Sequence, residues 1–126
     1  RGTRTYIYSS VASSKEAAAA AKFENRAAGA FEFLLNDLRK NAFEYLSIEL
    51  AGNIQHSLAR SLKLKWMPTE RAPFYVLANT AMPSVLVEAA FISNTQEEQM
   101  MKGGGFRDKM ASGISEGIKK YLETLK

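Results

Sequence analysis

The sequence predicts an α/β fold, the C-terminal part of a mainly parallel sheet flanked by helices, with about three strands and four to five helices. Three observations lead there. Residues 3–8, 74–77 and 84–87 are short runs of β-branched, aromatic and aliphatic side chains with strand character. Between them, apolar residues recur at helical spacing behind capping residues. The run Val85, Leu86, Val87, bounded by Pro83 and a polar loop, suits a strand buried on both faces, as strands of parallel sheets are.

Residues 3–8 form the first expected strand, closed by Ser9 and Ser10. Ser13, with Glu16 three residues on, has the pattern of a capping box, and the alanines at 17–21 favour helix to about Arg26. A helix so poor in bulky side chains must lie close to its neighbour or be partly exposed. Gly29 interrupts the pattern, and Phe31, Phe33, Leu34, Leu35 and Leu38 then make a short apolar helical segment. From Asn41 to about Leu64, the leucines and isoleucine at 46, 50, 54, 58 and 62 form the core-facing side of a longer helix.

Residues 63–71 read as a polar connection to the second strand at 74–77, and residues 84–87 form the third. Asn94 with Glu97 marks a helix start, and that helix runs through Met100 and Met101, expected in the core, to the break at Gly103, Gly104 and Gly105. Phe106, Met110, Ile114, Ile118 and Leu122 step by four along a closing amphipathic helix. Three parallel strands do not easily close a sheet of their own, so the chain is expected to be the C-terminal half of a larger domain whose earlier strands lie upstream of Arg1.

Composition narrows the function classes. A chain of 126 residues with 46% hydrophobic content is one domain's worth of globular protein. Its net charge of +4 comes from 17 basic residues scattered among 13 acidic ones. With no basic-aromatic groove motif, nucleic acid is not expected as a partner. The lack of cysteine excludes a disulfide frame and thiolate metal sites; it fits a reducing compartment or an envelope protein built without bridges. No apolar stretch is long enough for a membrane span.

One residue stands out chemically. Glu88 ends the apolar run of the third strand, just before a loop and a helix start, and ligand crevices of open α/β sheets lie beyond the carboxyl ends of such strands. Two readings of this residue stand: a proton-transfer group at a cleft, or a structural cap or ion-pair partner. His56, inside the long amphipathic helix with no second histidine or cysteine to join it, reads as a helix-surface residue. Ser84 lacks the Gly-x-Ser-x-Gly frame of an activated nucleophile, and Asn94 reads as a cap.

Residues 72–77 (Ala-Pro-Phe-Tyr-Val-Leu), then 82–88 (Met-Pro-Ser-Val-Leu-Val-Glu), then Phe91, Ile92, Ser93, Asn94 and the pair Glu97, Glu98 together resemble the C-terminal signature of the zinc-dependent N-acetylmuramoyl-L-alanine amidases. Residues 4–8 are similar to the strand that follows that family's last zinc histidine, and Glu24, Asn25 and Arg26 to a recurring helix ending. The chain departs from the usual pattern at Ala89, Ala90 and Thr95, and over residues 67–71, which concerns local substrate contacts more than the fold.

The resemblance implies that residues 1–126 are the C-terminal half of a single catalytic domain of a peptidoglycan amidase, which cleaves the amide between N-acetylmuramic acid and L-alanine. It implies zinc held by upstream residues, with no complete zinc site in this chain, and an inactive fragment on its own. Glu88 matches the family's catalytic glutamate. Peptidoglycan as substrate, an activator protein as partner, a periplasmic or extracellular location in a bacterial envelope, and cell-wall degradation that extends to cell division are implied in the same way. Some relatives insert a regulatory helix at the place matching residues 27–42, which here either govern access or pack on the sheet. Two rivals stand beside this reading: a non-catalytic peptidoglycan-binding or interaction module of the same fold, and a helical interaction protein without the strands.

Overall fold

The computed structural model describes residues 2–27, 32–78 and 80–126, with 27 and 32–42 described by backbone alone. Strand β1 (Arg4–Tyr8) leads to α1 (Lys15–Glu24), a 3-10 turn (Asn25–Ala27) and the long helix α2 (Glu32–Leu62). Then follow β2 (Glu70–Ala72), α3 (Tyr75–Ala78), β3 (Leu86–Glu88), α4 (Thr95–Lys102) and α5 (Phe106–Thr124). The expected α/β class holds, with three strands in the order β2-β1-β3 and five helices among the described residues. Contacts divide the chain into two compact units, one of residues 6–51 and 69–86, the other of residues 1–5, 52–68 and 87–126.

In the first unit, β1 and β2 pair in parallel, with Tyr6 opposite Glu70, Ile7 opposite Arg71 and Tyr8 opposite Ala72. The aromatic and β-branched residues of β1 are buried on both of its faces, as suits a middle strand. Tyr6 packs its ring on Phe74 at 4.9 Å between centroids, in the tilted arrangement aromatic pairs prefer. Ala17 and Ala21 of α1 join the same cluster, where their small side chains permit close approach, while the alanines at 18 and 19 face outward.

Several boundaries differ from the sequence reading. The cap of α1 is Ser14, whose Oγ accepts from Ala17 N at 3.0 Å. Ser13 is unavailable for that task because its hydroxyl accepts from Arg71 N and donates to Arg71 O. Residues 74–77, expected as a strand, instead lead into the single helical turn α3. Phe74, Leu77 and Ala78 are buried, which is helical spacing, and Val76 is 62% exposed. Asn25 anchors that turn, accepting from Tyr75 N at 2.7 Å and donating to Pro73 O at 2.5 Å. The strand is instead Glu70–Ala72, at the end of the stretch read as a connection and one residue beyond it.

The two helices expected on either side of residues 38–41 are one continuous helix, α2. The regulatory role considered for residues 27–42 rests on side chains outside the described residues. β3 begins two residues later than expected and is half-buried at all three positions, not enclosed on both faces, because it is the outer strand of the sheet order seen here.

In the second unit, α5 meets α2 through glycines. An added Cβ at Gly117 would lie 2.5 Å from Ile54 Cα, and one at Gly113 would lie 3.1 Å from Leu58 Cα. The buried side of α5 is therefore Phe106, Gly113, Gly117 and Tyr121, whereas Ile118 and Leu122 of the expected stripe are 39% and 51% exposed. Arg60 of α2 pairs with Glu116 of α5, and its guanidinium, followed by Lys120, holds the Glu116 carboxyl below the usual carboxylate range.

Candidate active site

Glu88 is the last residue of β3 and is half-buried. The chain then turns through Ala89 and Ala90 to Phe91, whose carbonyl accepts from Asn94 N at 2.9 Å. Asn94 caps α4 as the sequence predicts, its Oδ1 accepting from Gln96 N at 3.1 Å and Glu97 N at 3.3 Å.

Glu97 departs from the capping-box role that its spacing from Asn94 suggests. The residue is buried, 7% exposed. Oε2 accepts from Phe91 N at 2.8 Å, and Oε1 accepts from Gly2 N at 3.0 Å. The residues leading into β1 and the loop that follows Glu88 thus share one buried carboxylate. The Arg4 guanidinium lies 5.5 Å from the centre of the Phe91 ring, within cation-π range, so the same residue is held through its side chain.

The entry to β1 has a second anchor. Gln55, fully buried on α2, accepts from Thr5 Oγ1 at 2.8 Å and donates to Thr3 O at 2.9 Å.

A cavity of about 610 Å³ opens beside this loop, between Ala89, Ile92, Met101, Phe106, Arg107 and Met110. Its walls are mostly apolar, with Arg107 and the Lys102–Glu98 ion pair at its edge. Ala89 is the residue through which the loop after β3 reaches it; Glu88 is not part of the lining. Met101 lines this space and Met100 is 40% exposed, so the pair expected in the core lies at cavity walls.

His56 is exposed on α2. Ser84 shares a hydrogen bond with Thr80 Oγ1 at 2.8 Å, and its backbone N–H donates to Ser47 Oγ at 3.0 Å. Among the described residues, no three or more His, Cys, Asp or Glu side chains gather into a metal-binding group.

The signature residues Phe91, Asn94 and Glu97, between the end of β3 and the start of α4, are therefore joined by hydrogen bonds to one another. The family profile described as N-acetylmuramoyl-L-alanine amidase matches residues 1–120. The chain belongs to this family.

Its relatives include the N-acetylmuramoyl-L-alanine amidase AmiA of Escherichia coli (strain K12), 37% identical over 92 residues, which cover 73% of this chain and 30% of AmiA. They also include LytC of Bacillus subtilis (strain 168), 40% identical over 75 residues, covering 60% of this chain and 15% of LytC. The fold is similar to that of an N-acetylmuramoyl-L-alanine amidase from Clostridium difficile 630, at a TM-score of 0.66 and 21% identity over 98% of this chain and 49% of that one. It is also similar to the CwlD amidase of Clostridioides difficile, solved in complex with the GerS lipoprotein, at a TM-score of 0.64 and 23% identity over 98% of this chain and 47% of that one. This amidase-family chain thus spans about half the length of the solved relatives and a third or less of the two curated relatives named here.

Sequence reasoning missed the bridging function of Glu97 and the anchoring by Gln55. The signal for Gln55 was present, since it sits between Ile54 and Leu58 on a buried helix side where an amide must find partners. For Glu97 the capping pattern was the obvious reading, and only the fold brings Gly2 to it.

Proposed function

We propose that this chain is part of a peptidoglycan amidase that, when complete, hydrolyses the amide bond between N-acetylmuramic acid and the L-alanine of the stem peptide, with Glu88 as its proton-transfer residue. The observation that carries this reading is the family match over residues 1–120, in which a lone carboxylate closes β3 immediately before the Asn94-capped helix. Amide hydrolysis needs a group that takes a proton from the attacking water and returns one to the departing nitrogen. Glu88 has the chemistry for both transfers, and its place at a strand's carboxyl end is where crevices of α/β sheets open.

Zinc is proposed to belong to the complete enzyme, held by residues outside this sequence. The composition supports this reading, since a catalytic zinc takes three protein ligands and the sequence offers one histidine and no cysteine. The role assigned to this chain is therefore the proton transfer of Glu88 alone. The proposed setting is the bacterial envelope, in the periplasm or outside the cell, in cell-wall degradation that includes cell division. An activator protein is the proposed partner, a reading supported by the fold's likeness to CwlD, which was solved with a lipoprotein.

The test is Glu88→Gln in the complete amidase, assayed by release of stem peptides with free L-alanine amino termini from purified peptidoglycan. Loss of a general acid-base group lowers kcat by about 10²- to 10⁴-fold, with zinc content and thermal midpoint unchanged. Activity retained in this variant overturns the role of Glu88. A complete protein that binds cell-wall sacculi without cleaving them leaves the binding module in its place.

A further inference from the structure

The carboxylate of Glu97 is not needed where it stands for capping. Asn94 Oδ1 already accepts from the two N–H groups that a cap serves, and the N–H of Asn94, which a capping-box glutamate would take, goes to Phe91 O. A buried carboxylate loses its hydration, and here it regains two backbone donors, one on each oxygen. Those donors belong to segments 89 residues apart in sequence, Gly2 at the entry to β1 and Phe91 in the loop after β3.

We infer that Glu97 is a positioning residue for Glu88: its carboxylate, bridging Gly2 N–H and Phe91 N–H, fixes the exit of β3 and so the direction of the Glu88 carboxylate. This rests on the reading of Glu88 as the proton-transfer group. Only Ala89 and Ala90 separate Glu88 from Phe91, so a tether on Phe91 N–H leaves few backbone rotations through which the strand end can drift. Phe91 is held a second time by Arg4, from the same β1 segment whose entry Glu97 holds at Gly2. Proton transfer is sensitive to such tethers because reacting groups displaced by about 1 Å lose on the order of 10²-fold in rate.

The experiment compares Glu97→Gln, Glu97→Asp and Asn94→Ala in the complete amidase, with Glu88→Gln as reference. An amide side chain has one acceptor oxygen, so Glu97→Gln can keep only one of the two bonds. It is expected to lower kcat by about 10- to 100-fold, with KM and zinc content within twofold of the parent, and to speed hydrogen exchange at the Phe91 amide. Glu97→Asp keeps the charge and both acceptors on a shorter stem; it is expected to recover part of kcat, and it carries the test if the glutamine variant does not fold. Asn94→Ala weakens the start of α4 and lowers the thermal midpoint while leaving kcat unchanged. A folded Glu97→Gln with parental kcat overturns the inference, as does an equal fall of kcat in Asn94→Ala. If Glu88→Gln is itself active, the reading of Glu88 fails, and that result is distinct from a failure confined to Glu97.

Discussion

Gln55 illustrates what a single buried polar residue does here. Its amide holds Thr5 Oγ1 and Thr3 O inside a helix face otherwise lined by Ala51, Ile54, Leu58 and Ala59. Removing it strands two buried partners that water cannot reach, and an unsatisfied buried group costs about 1–3 kcal/mol. Gln55→Ala is therefore expected to lower the unfolding free energy by about 2–4 kcal/mol, the cavity left by the side chain adding to the lost bonds. Urea denaturation of the chain checks this, and a loss below about 0.5 kcal/mol would show that the network is dispensable. Glu97 follows the same logic with a charge in place of an amide, and there the consequence is proposed to reach Glu88. Residues of this kind are only half legible in a sequence: the amide on an apolar stripe signals that partners exist, but not which ones.

At the scale of elements, the contact of α5 with α2 is set by what is absent from the side chains. Gly117 lets the α5 backbone approach Ile54 directly, and a methyl group there meets backbone atoms at 2.5–2.9 Å. Gly117→Ala is expected to destabilise by about 1–2 kcal/mol, since overpacking of about 1–3 kcal/mol exceeds the roughly 1 kcal/mol gained in helix propensity. Gly113→Ala meets its neighbours at 3.1–3.2 Å, of which Leu58 Cδ2 alone can shift by rotation, and is expected to destabilise less than Gly117→Ala. Paired denaturation curves of the two variants test this order, and equal effects would contradict it. The period-four stripe on α5 was sound as a sign of helix but misleading about its buried side. Hydropathy counts large side chains, and this interface is built from glycines. The short helix α3 was misread for a related reason: Phe-Tyr-Val-Leu has strand composition, and the bonds that hold a turn at that place come from Asn25, about fifty residues away in sequence.

For the molecule as a whole, the chain matches its solved relatives over 98% of its own length and about half of theirs. The outer strand β3 is half-buried, and Ile118 and Leu122 of the last helix and Leu125 at its C-cap are exposed. The 126 residues by themselves are expected to release no stem peptide from peptidoglycan and to retain no zinc after dialysis, as metal analysis and the amidase assay would register. Turnover with one tightly bound zinc would overturn both the assignment of the metal to residues outside this sequence and the expected inactivity.

The sequence by itself determined the α/β class, the Asn94 start of α4, the glycine break at 103–105 and the family, because these depend on local propensity, capping chemistry and an ordered run of residue types. It also singled out Glu88, through the contrast between a carboxylate and the apolar run before it. The tertiary structure alone decided that Ser14 and not Ser13 caps α1, that residues 74–77 enter a turn, that glycines form the buried side of α5, and that Glu97 joins Gly2 to Phe91. Each of these depends on partners dozens of residues away, and hydrogen bonds and close contacts of that range have no signature in local periodicity.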